Sequence, residues 1–399
     1  MPPSPTVADP RVYQLLGELP VSLFPPGLVA GVLFVERYGA EWALDLAHRL
    51  DLGEPLGRSA TVPEILAERA WQPGFGPALG WVLSGLAHRG LVERVDARPE
   101  PRWLLRGQLP PADLPGRRAE GLALEPALGS TFALLDAAGR AYPAAAVSEK
   151  AGEEALLGPA GVGLWTGYFS NANPLYAFNN AIAAIAAANR LPDEGPWTLL
   201  EVGAGAGSAA EALLAVLAER DMTGRLARYT ITEPSPFFRR RSQRTLTTAW
   251  PGLPLAFADL DIDRPWNAQE VEPGSLDLVF GVNVFHVAKD LAATLAQARE
   301  SLRPGGWLVV GECLRPFPGQ HLTAEMAFQL LPGFTDVRLD PVLRPHPGFL
   351  TPETWQGALE AAGFGEVRVV PDLGQIRELF PAFTTGAVCG RRPAEPRAV

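Results

Sequence analysis

LLEVGAGAGSAAEALL, residues 199–214, carries the clearest structural signal in this chain. The apolar run from Thr198 to Val202 predicts a buried strand, and the alanine- and leucine-rich end predicts a helix from Ser208. The turn between them carries three glycines at alternate positions, Gly203, Gly205 and Gly207. Glycine there lets the backbone turn sharply and come close to a ligand. The stretch therefore predicts the first strand, turn and helix of a Rossmann-like α/β sheet.

The chain beyond this turn alternates between predicted strands and helices. Strands are predicted at 226–232, 255–259, 275–283 and 306–312, and helices at 290–302, 322–334 and 351–362. The run Arg303-Pro-Gly-Gly306 is interpreted as the turn before the last of these strands. This alternation indicates a doubly wound α/β sheet, in which ligands bind beyond the carboxyl ends of the strands.

Two glutamates stand where such a sheet binds its ligand. Glu201 precedes Gly203 by two positions, and a carboxylate there repels a pyrophosphate but attracts a cationic amino group. Glu233 ends the second strand, where a carboxylate can accept hydrogen bonds from both hydroxyls of a ribose. Together, the two carboxylates favour a ligand that contains both a ribose and a cationic amino group. A nicotinamide-dependent oxidoreductase is the alternative for this type of turn.

One histidine lies at the same predicted edge. His286 follows the fourth strand in Asn283-Val-Phe-His286, and imidazole titrates near neutral pH, so it can accept a proton from an acidic carbon or a hydroxyl. Glu312 ends the neighbouring strand and can orient the imidazole and stabilise its protonated form. We therefore predict His286 as the general base and Glu312 as its partner. In the alternative interpretation, His286 only hydrogen-bonds a loop carbonyl.

The stretch at 199–214 resembles motif I of class I methyltransferases, and the order of elements from Trp197 to Arg392 agrees with that family. The resemblance implies a seven-stranded Rossmann-like domain that binds S-adenosyl-L-methionine over the three glycines. It also implies that a residue of Asp259-Leu260-Asp261 reads the adenine amino group, and the choice between the two aspartates stays open. The predicted cofactor-binding residues are Glu201, Gly203, Gly205, Gly207, Glu233, Asp259, Leu260, Asp261 and Asn283.

Two groups of methyltransferases share the His and Glu arrangement. YTITEPSPFF (229–238), DLDID (259–263) and GVNVFHVAKDL (281–291) resemble the C-methyltransferase domains of polyketide synthases, although Glu233 stands where those domains usually have Asp. That group uses a His/Glu pair to deprotonate the carbon between two carbonyls. Small-molecule O-methyltransferases usually show His-Asp-Trp, whereas here His286 is followed by Val-Ala-Lys. The expected acceptor is a polyketide-like or aromatic natural product, methylated on carbon or oxygen.

The segment 61–105 predicts two short helices and a β-hairpin. Its elements are a Thr61-Val-Pro-Glu64 capping box opening a helix at 61–70, a helix at 75–89, strands at 91–95 and 102–105, and a turn at 96–101. This segment resembles the N-terminal winged-helix domain of small-molecule O-methyltransferases, which implies a homodimer. A DNA-binding winged helix in a transcription regulator with a ligand-sensing second domain is the alternative. The second predicted helix of the segment, at 75–89, offers only His88 and Arg89 to base edges, which disfavours DNA binding.

Three regions are predicted: a helical winged-helix and dimerisation domain at 1–106, a linker and helical lid region at 107–196, and the methyltransferase domain at 197–399. Gly107–Gly129 is rich in proline and glycine and forms the predicted linker. The aromatic and amide-rich run 168–176 leads into a helix at 178–189, which either covers the substrate or packs on the core. The segment after the fifth strand carries Arg315, Arg338 and Arg344, interpreted as surface arginines or as anion-binding residues.

Composition limits the partners of this 399-residue chain. Its net charge is −10, and an acidic protein repels phosphate backbones, so no nucleic-acid partner is expected. Two cysteines, Cys313 and Cys389, make no disulfide framework and favour a reducing cytoplasm. The apolar run 28–35 is far shorter than the ~20 residues that span a bilayer, and no Cys/His cluster has zinc spacing. The sequence therefore predicts a freestanding cytoplasmic enzyme for a small molecule, without a metal or a membrane partner.

Overall fold

The computed structural model describes residues 8–95 and 100–394, which divide between two compact units. Unit 1 contains Pro26–Tyr168 and Gly319–Thr335. Unit 2 contains Ala8–Pro25, Phe169–Pro318 and the described chain from Asp336 onward. This division differs from the predicted boundaries at 106 and 196, because each unit is assembled from segments that are distant in sequence.

Helices and strands are numbered separately, in chain order. The α-helices are α1 (Pro10–Gln14), α2 (Pro26–Arg49), α3 (Gly53–Gly57), α4 (Val62–Glu68), α5 (Gly76–His88), α6 (Leu114–Leu124), α7 (Gly129–Val147), α8 (Ala151–Leu157), α9 (Val162–Tyr168), α10 (Pro174–Ala188), α11 (Ser208–Glu219), α12 (Pro236–Ala249), α13 (Leu291–Ser301), α14 (Glu325–Phe328), α15 (Pro332–Thr335), α16 (Pro352–Ala361) and α17 (Leu373–Leu379). The β-strands are β1 (Val92–Val95), β2 (Arg102–Leu105), β3 (Trp197–Glu201), β4 (Leu226–Thr232), β5 (Leu255–Ala258), β6 (Leu276–Val282), β7 (Leu302–Cys313), β8 (Gly365–Val370) and β9 (Thr385–Arg391).

Unit 2 is organised around a seven-stranded sheet with the strand order β5-β4-β3-β6-β7-β9-β8. β9 runs antiparallel to β7 and β8, and the other neighbouring pairs are parallel. Every residue of β6 is buried, as expected for a central parallel strand that is covered on both faces. The strand order reverses at β3, so the carboxyl ends of β3 and β6 mark the ligand-binding edge. The predicted Rossmann-like α/β class is confirmed.

The predicted turn at Arg303–Gly306 lies inside the bounds of β7 as a bulge. Leu276 pairs with Leu302, and Leu278 pairs with Trp307, so the pairing shifts across the intervening residues. Gly305 has φ +84°, a conformation that glycine accepts readily. The Pro-Gly-Gly run therefore interrupts the ladder inside β7, whereas the sequence predicted a turn before the strand.

Unit 1 contains the predicted helical pair and hairpin. Thr61 and Glu64 form both hydrogen bonds of the capping box that opens α4. The strands β1 and β2 pair antiparallel, with Val92 opposite Leu105, and α5 buries one apolar face. Part of the predicted turn at 96–101 lies outside the described residues. The winged helix and its dimer role stay predictions.

Two predictions on segment structure were wrong. The predicted linker at 107–129 contains α6, whose N-cap Asp113 accepts a hydrogen bond from the Gly116 amide (2.9 Å). A Cβ on Gly121 of this helix would lie 2.5 Å from Phe132 and from Phe34, so this glycine serves close packing rather than flexibility. The single helix predicted at 322–334 is two short helices, because Pro332 cannot continue a helix, and both lie in unit 1.

Candidate active site

The glycine turn after β3 adopts the left-handed backbone conformation that glycine accepts without strain. Gly203, Gly205 and Gly207 have φ of +64°, +53° and +90°. A Cβ on Gly203 would lie 2.4 Å from Val284, and one on Gly207 would lie 2.9 Å from Ser242. A Cβ on Gly205 would meet no atom within 4 Å. Gly205 is therefore the glycine of the three whose main chain faces open space and can be approached by a ligand.

The Glu233 carboxylate joins the end of β4 to this turn. It accepts a hydrogen bond from the Gly205 amide at Oε2 (2.9 Å) and another from the Ser235 amide at Oε1 (2.9 Å). Burial raises the pKa of Glu233, and the two amide hydrogen bonds oppose that shift. Glu233 thus holds the glycine turn at the predicted nucleoside site, and its contact with a ribose stays a prediction.

Glu201 is the last residue of β3, at the ligand-binding edge, but its side chain is completely buried. The hydroxyl of Tyr229, on the neighbouring strand β4, donates to Oε2 of Glu201 (2.5 Å). Burial raises the pKa of Glu201 to about 7, so the carboxyl group carries only part of a charge at neutral pH. The Glu201 side chain is shielded from solvent, and its attraction for a cationic amino group stays a prediction.

The residues after β5 differ in exposure. The Asp259 carboxylate is 67% exposed and lies 3.8 Å from the Arg239 guanidinium. Leu260 is buried, while the Asp261 amide donates to the side chain of Gln269 (2.9 Å). Asp261 is therefore part of the loop framework, and Asp259 presents the more accessible carboxylate. The contact of one of these residues with the adenine amino group stays a prediction.

His286 and Glu312 form a buried pair where β6 and β7 end. His286 is 2% exposed, and Glu312 is fully buried. Nδ1 of His286 lies 2.7 Å from Oε2 of Glu312, and the His286 amide donates to Oε1 (3.2 Å). The ring of Phe349 packs against the imidazole with centroids 4.7 Å apart. When Nδ1–H donates to the carboxylate, a neutral imidazole carries its acceptor lone pair on Nε2, as a general base requires.

Asn283 connects the ends of the same two strands. Its Oδ1 accepts a hydrogen bond from the Cys313 amide (2.9 Å), and its own amide donates to the Gly311 carbonyl (2.8 Å). The Asn283 side chain is also hydrogen-bonded to the hydroxyl of Tyr176, whose pKa is raised by burial. The aromatic run at 168–176 therefore brings its last residue to this site. The contact of Asn283 with a cofactor stays a prediction.

Arg344, interpreted from the sequence as a surface or an anion-binding arginine, lies buried beside His286. Its side chain is buried, and the guanidinium donates to the main-chain carbonyls of His286 and Ala288. Burial lowers the pKa of Arg344 to about 10, while the negative charges of Glu312, Asp263 and Asp290 oppose that shift. Arg344 is therefore a cation at neutral pH, inside the protein. The surface interpretation of Arg344 was wrong, and the sequence carried no signal for its contact with main-chain carbonyls, because arginine type alone does not distinguish a surface position from a buried one.

The other histidines make local contacts. His48, His88 and His321 lie in unit 1, and the ring of His321 packs against Trp81 with centroids 4.7 Å apart. Nδ1 of His346 lies 2.9 Å from the carbonyl of the adjacent Pro347. Within residues 8–95 and 100–394, no three His, Cys, Asp or Glu side chains are grouped so that they could hold a metal ion. No helix in that described part of the chain is long and apolar enough to cross a membrane.

Comparison with known proteins assigns the class to which this sheet and site belong. Residues 200–308 match a family model described as a methyltransferase domain. The solved CurJ carbon methyltransferase has the same fold, with a TM-score of 0.76 and 19% sequence identity over 96% of this chain and 97% of that one. The trans-methyltransferase CalH, solved as a complex with S-adenosylhomocysteine (SAH), has a TM-score of 0.58 and 20% identity over 90% of each chain. Unit 2 is thus a class I methyltransferase fold.

Similarity in sequence to other proteins gives a more specific resemblance. The chain is 36% identical over 174 residues to highly reducing polyketide synthase 2 of Gibberella zeae. That match covers 42% of this chain but only 6% of the length of the synthase. The predicted resemblance to methyltransferase domains of polyketide synthases is confirmed, and the family supports S-adenosylmethionine as the cofactor.

Proposed function

We propose that this chain is an S-adenosylmethionine-dependent C-methyltransferase that acts on the carbon between two carbonyl groups of a polyketide-like small molecule. The observation that carries the proposal is the buried His286–Glu312 pair at the carboxyl ends of β6 and β7. The polyketide synthase relative and the solved carbon methyltransferase support carbon rather than oxygen as the methylated atom.

The residues at the glycine turn fit the proposed cofactor. S-adenosylmethionine supplies, when bound, an electrophilic methyl group on a sulfonium. The open main chain at Gly205 and the Glu233 carboxylate beside it would hold the nucleoside, with Asp259 as the accessible acidic group at the next strand end. We assign Glu201 a supporting role, because its carboxyl group is bonded to Tyr229 inside the sheet.

The His286–Glu312 pair would generate the carbon nucleophile. A hydrogen on a carbon between two carbonyls is acidic because the charge of the enolate spreads over both oxygens. Nε2 of His286 accepts that proton, the C–H bond breaks, and its electron pair stays on the substrate as the enolate. Glu312 remains hydrogen-bonded to Nδ1 and stabilises the imidazolium that forms.

Replacement of the base tests this assignment. The His286→Ala variant is expected to lose turnover of acetoacetyl-N-acetylcysteamine, a 3-oxoacyl thioester, by about 10²- to 10⁴-fold. Its affinity for SAH, measured by calorimetry, should stay within about threefold of the wild-type value, because His286 lies outside the glycine turn. Near-normal turnover by a folded His286→Ala protein would reject His286 as the base.

The position of the new methyl group separates carbon from oxygen transfer. Methylation with ¹³C-labelled cofactor should give a carbon-bound methyl resonance split by the one proton that remains on the methylated carbon of the substrate. A methoxy resonance would instead assign the chain to O-methyl transfer. The expected homodimer stays a prediction, and light scattering on the purified chain would measure the molecular mass that decides it.

A further inference from the structure

We infer that Arg344 is a positioning residue that fixes the main chain of His286, so that the imidazole holds the orientation a general base needs. The inference rests on the proposed function, because it takes His286 as the base. It adds a residue that touches neither substrate nor cofactor and acts through the main chain.

The polar groups of His286 are held from two sides. Glu312 binds its amide and the Nδ1 atom of its ring, while Arg344 binds its carbonyl oxygen. The second arm of the Arg344 guanidinium binds the carbonyl of Ala288, two residues further along. One rigid, planar group therefore bridges the middle of the short 3₁₀ turn Phe285–Val287 and the residue that follows this turn.

The loop that carries Arg344 is itself ordered by short-range contacts. Asp340 and Arg344 exchange two main-chain hydrogen bonds (3.0 and 2.9 Å), and the Asp340 carboxylate accepts from the amides of Val342 and Leu343 (2.8 Å each). The same loop continues to Phe349, whose ring packs against the imidazole. The segment 340–349 thus contacts the main chain of His286 through the Arg344 guanidinium and the imidazole of His286 through the Phe349 ring.

Burial of this arginine is costly for folding. The residue is 1% exposed, and Nε lacks a hydrogen-bond partner among the described residues. A buried cation destabilises a fold unless nearby charges and hydrogen bonds compensate, and an apolar side chain of similar size often serves stability as well. Both hydrogen bonds of the Arg344 guanidinium go to main-chain carbonyls in, or directly after, the turn that carries His286. Orientation of a reacting group within a narrow range is the benefit expected from such a contact.

The test compares Arg344→Met and Arg344→Lys with Arg338→Met, a matched change on the same loop at a side chain that is 79% exposed. We expect Arg344→Met to lower kcat for acetoacetyl-N-acetylcysteamine about 10- to 100-fold, with KM and SAH affinity within about threefold of wild type. Arg344→Lys should recover part of the loss, because one ammonium can hold one carbonyl at a time. Arg338→Met should behave as wild type.

A spectroscopic readout accompanies the kinetics and needs no turnover. The Nδ1–H of His286, hydrogen-bonded to a buried carboxylate, should give a low-field proton NMR signal that disappears in His286→Ala. That signal should broaden or vanish in Arg344→Met, remain in part in Arg344→Lys and persist in Arg338→Met. Folding of each variant is checked by circular dichroism and by SAH binding.

The possible outcomes distinguish a failure of the Arg344 inference from a failure of the proposed function. A folded Arg344→Met with wild-type kcat and an unchanged low-field signal would overturn the inference. Should Arg344→Met fail to fold, wild-type kcat and signal in Arg344→Lys would overturn it instead. Full turnover in His286→Ala would reject the proposed function, while the NMR signal would still report whether Arg344 orders the imidazole.

Discussion

Position, rather than residue type, decides what the two glutamates near the glycine turn can do. Glu233 lies at a strand end, where it orders the Gly205 amide. Glu201 ends the neighbouring strand β3, but its side chain is fully buried and bonded to Tyr229, with a pKa of about 7. Both looked equally suited to a ligand in the sequence, because spacing from a glycine reveals the edge of a sheet but not the direction of a side chain.

The raised pKa of Glu201 predicts a dependence of stability on pH. Because the folded-state pKa of about 7 exceeds the ordinary 4.5, the folded protein binds the proton more tightly than the unfolded chain. This contribution is complete below pH 4.5 and is lost as pH rises through 7, on the order of 3 kcal/mol in all. In Glu201→Gln, the free energy of unfolding in urea should therefore fall less between pH 5 and pH 8.

A surface variant provides the control for this experiment. Glu219→Gln changes an exposed carboxylate and should keep the wild-type pH dependence. Glu36, whose pKa burial also raises to about 7, contributes to all three proteins alike. An identical pH dependence in Glu201→Gln and wild type would contradict the assigned cause.

The glycine turn allows a second residue-scale prediction. Gly205→Ala forces an L side chain to φ +53°, at a cost of about 1–2 kcal/mol, and directs its methyl group into the open space of the predicted cofactor site. SAH affinity should fall at least about tenfold by calorimetry. Gly357→Ala, in the interior of α16 with free space around its Cβ, should instead stabilise the protein by about 0.5–1 kcal/mol. Unchanged SAH binding in Gly205→Ala would argue against a ligand above this turn.

Among the elements, helix caps follow local chemistry closely enough for a direct test. The Thr61 hydroxyl accepts from the Glu64 amide (3.3 Å), and the Glu64 carboxylate accepts from the Thr61 amide (2.8 Å). Thr61→Ala should lower the free energy of unfolding by about 1 kcal/mol in urea, while Thr61→Ser keeps the acceptor and most of the stability. A larger loss in Thr61→Ser than in Thr61→Ala would exclude the cap as the cause.

Predictions from the sequence were most accurate for features that depend on interactions between residues close together in the chain. The strand at 226–232 was predicted with its observed bounds, and Thr351 was correctly placed as the start of α16, because apolar runs and caps act locally. The His286–Glu312 pair was predictable because parallel strands end at one edge. The contact of Arg344 with the His286 carbonyl was missed because it joins residues far apart in the chain.

At the scale of the whole molecule, the stability of the protein reports which cofactor it binds. A ligand that binds only the folded form stabilises it by about 2.7 kcal/mol at one hundred times its Kd. SAH should therefore raise the unfolding midpoint of the protein, whereas NAD should not. Stabilisation by NAD and not by SAH would favour the oxidoreductase alternative.

The chain passes from unit 1 into unit 2 and back, since Gly319–Thr335 returns to the unit that begins at Pro26. Recombination at one point therefore cannot transplant either unit intact. A graft cut at residue 197 would carry α14 and α15 away from the helices with which they form a unit. Any transfer of either unit to another protein by a single exchange of chain segments therefore has to move both units together.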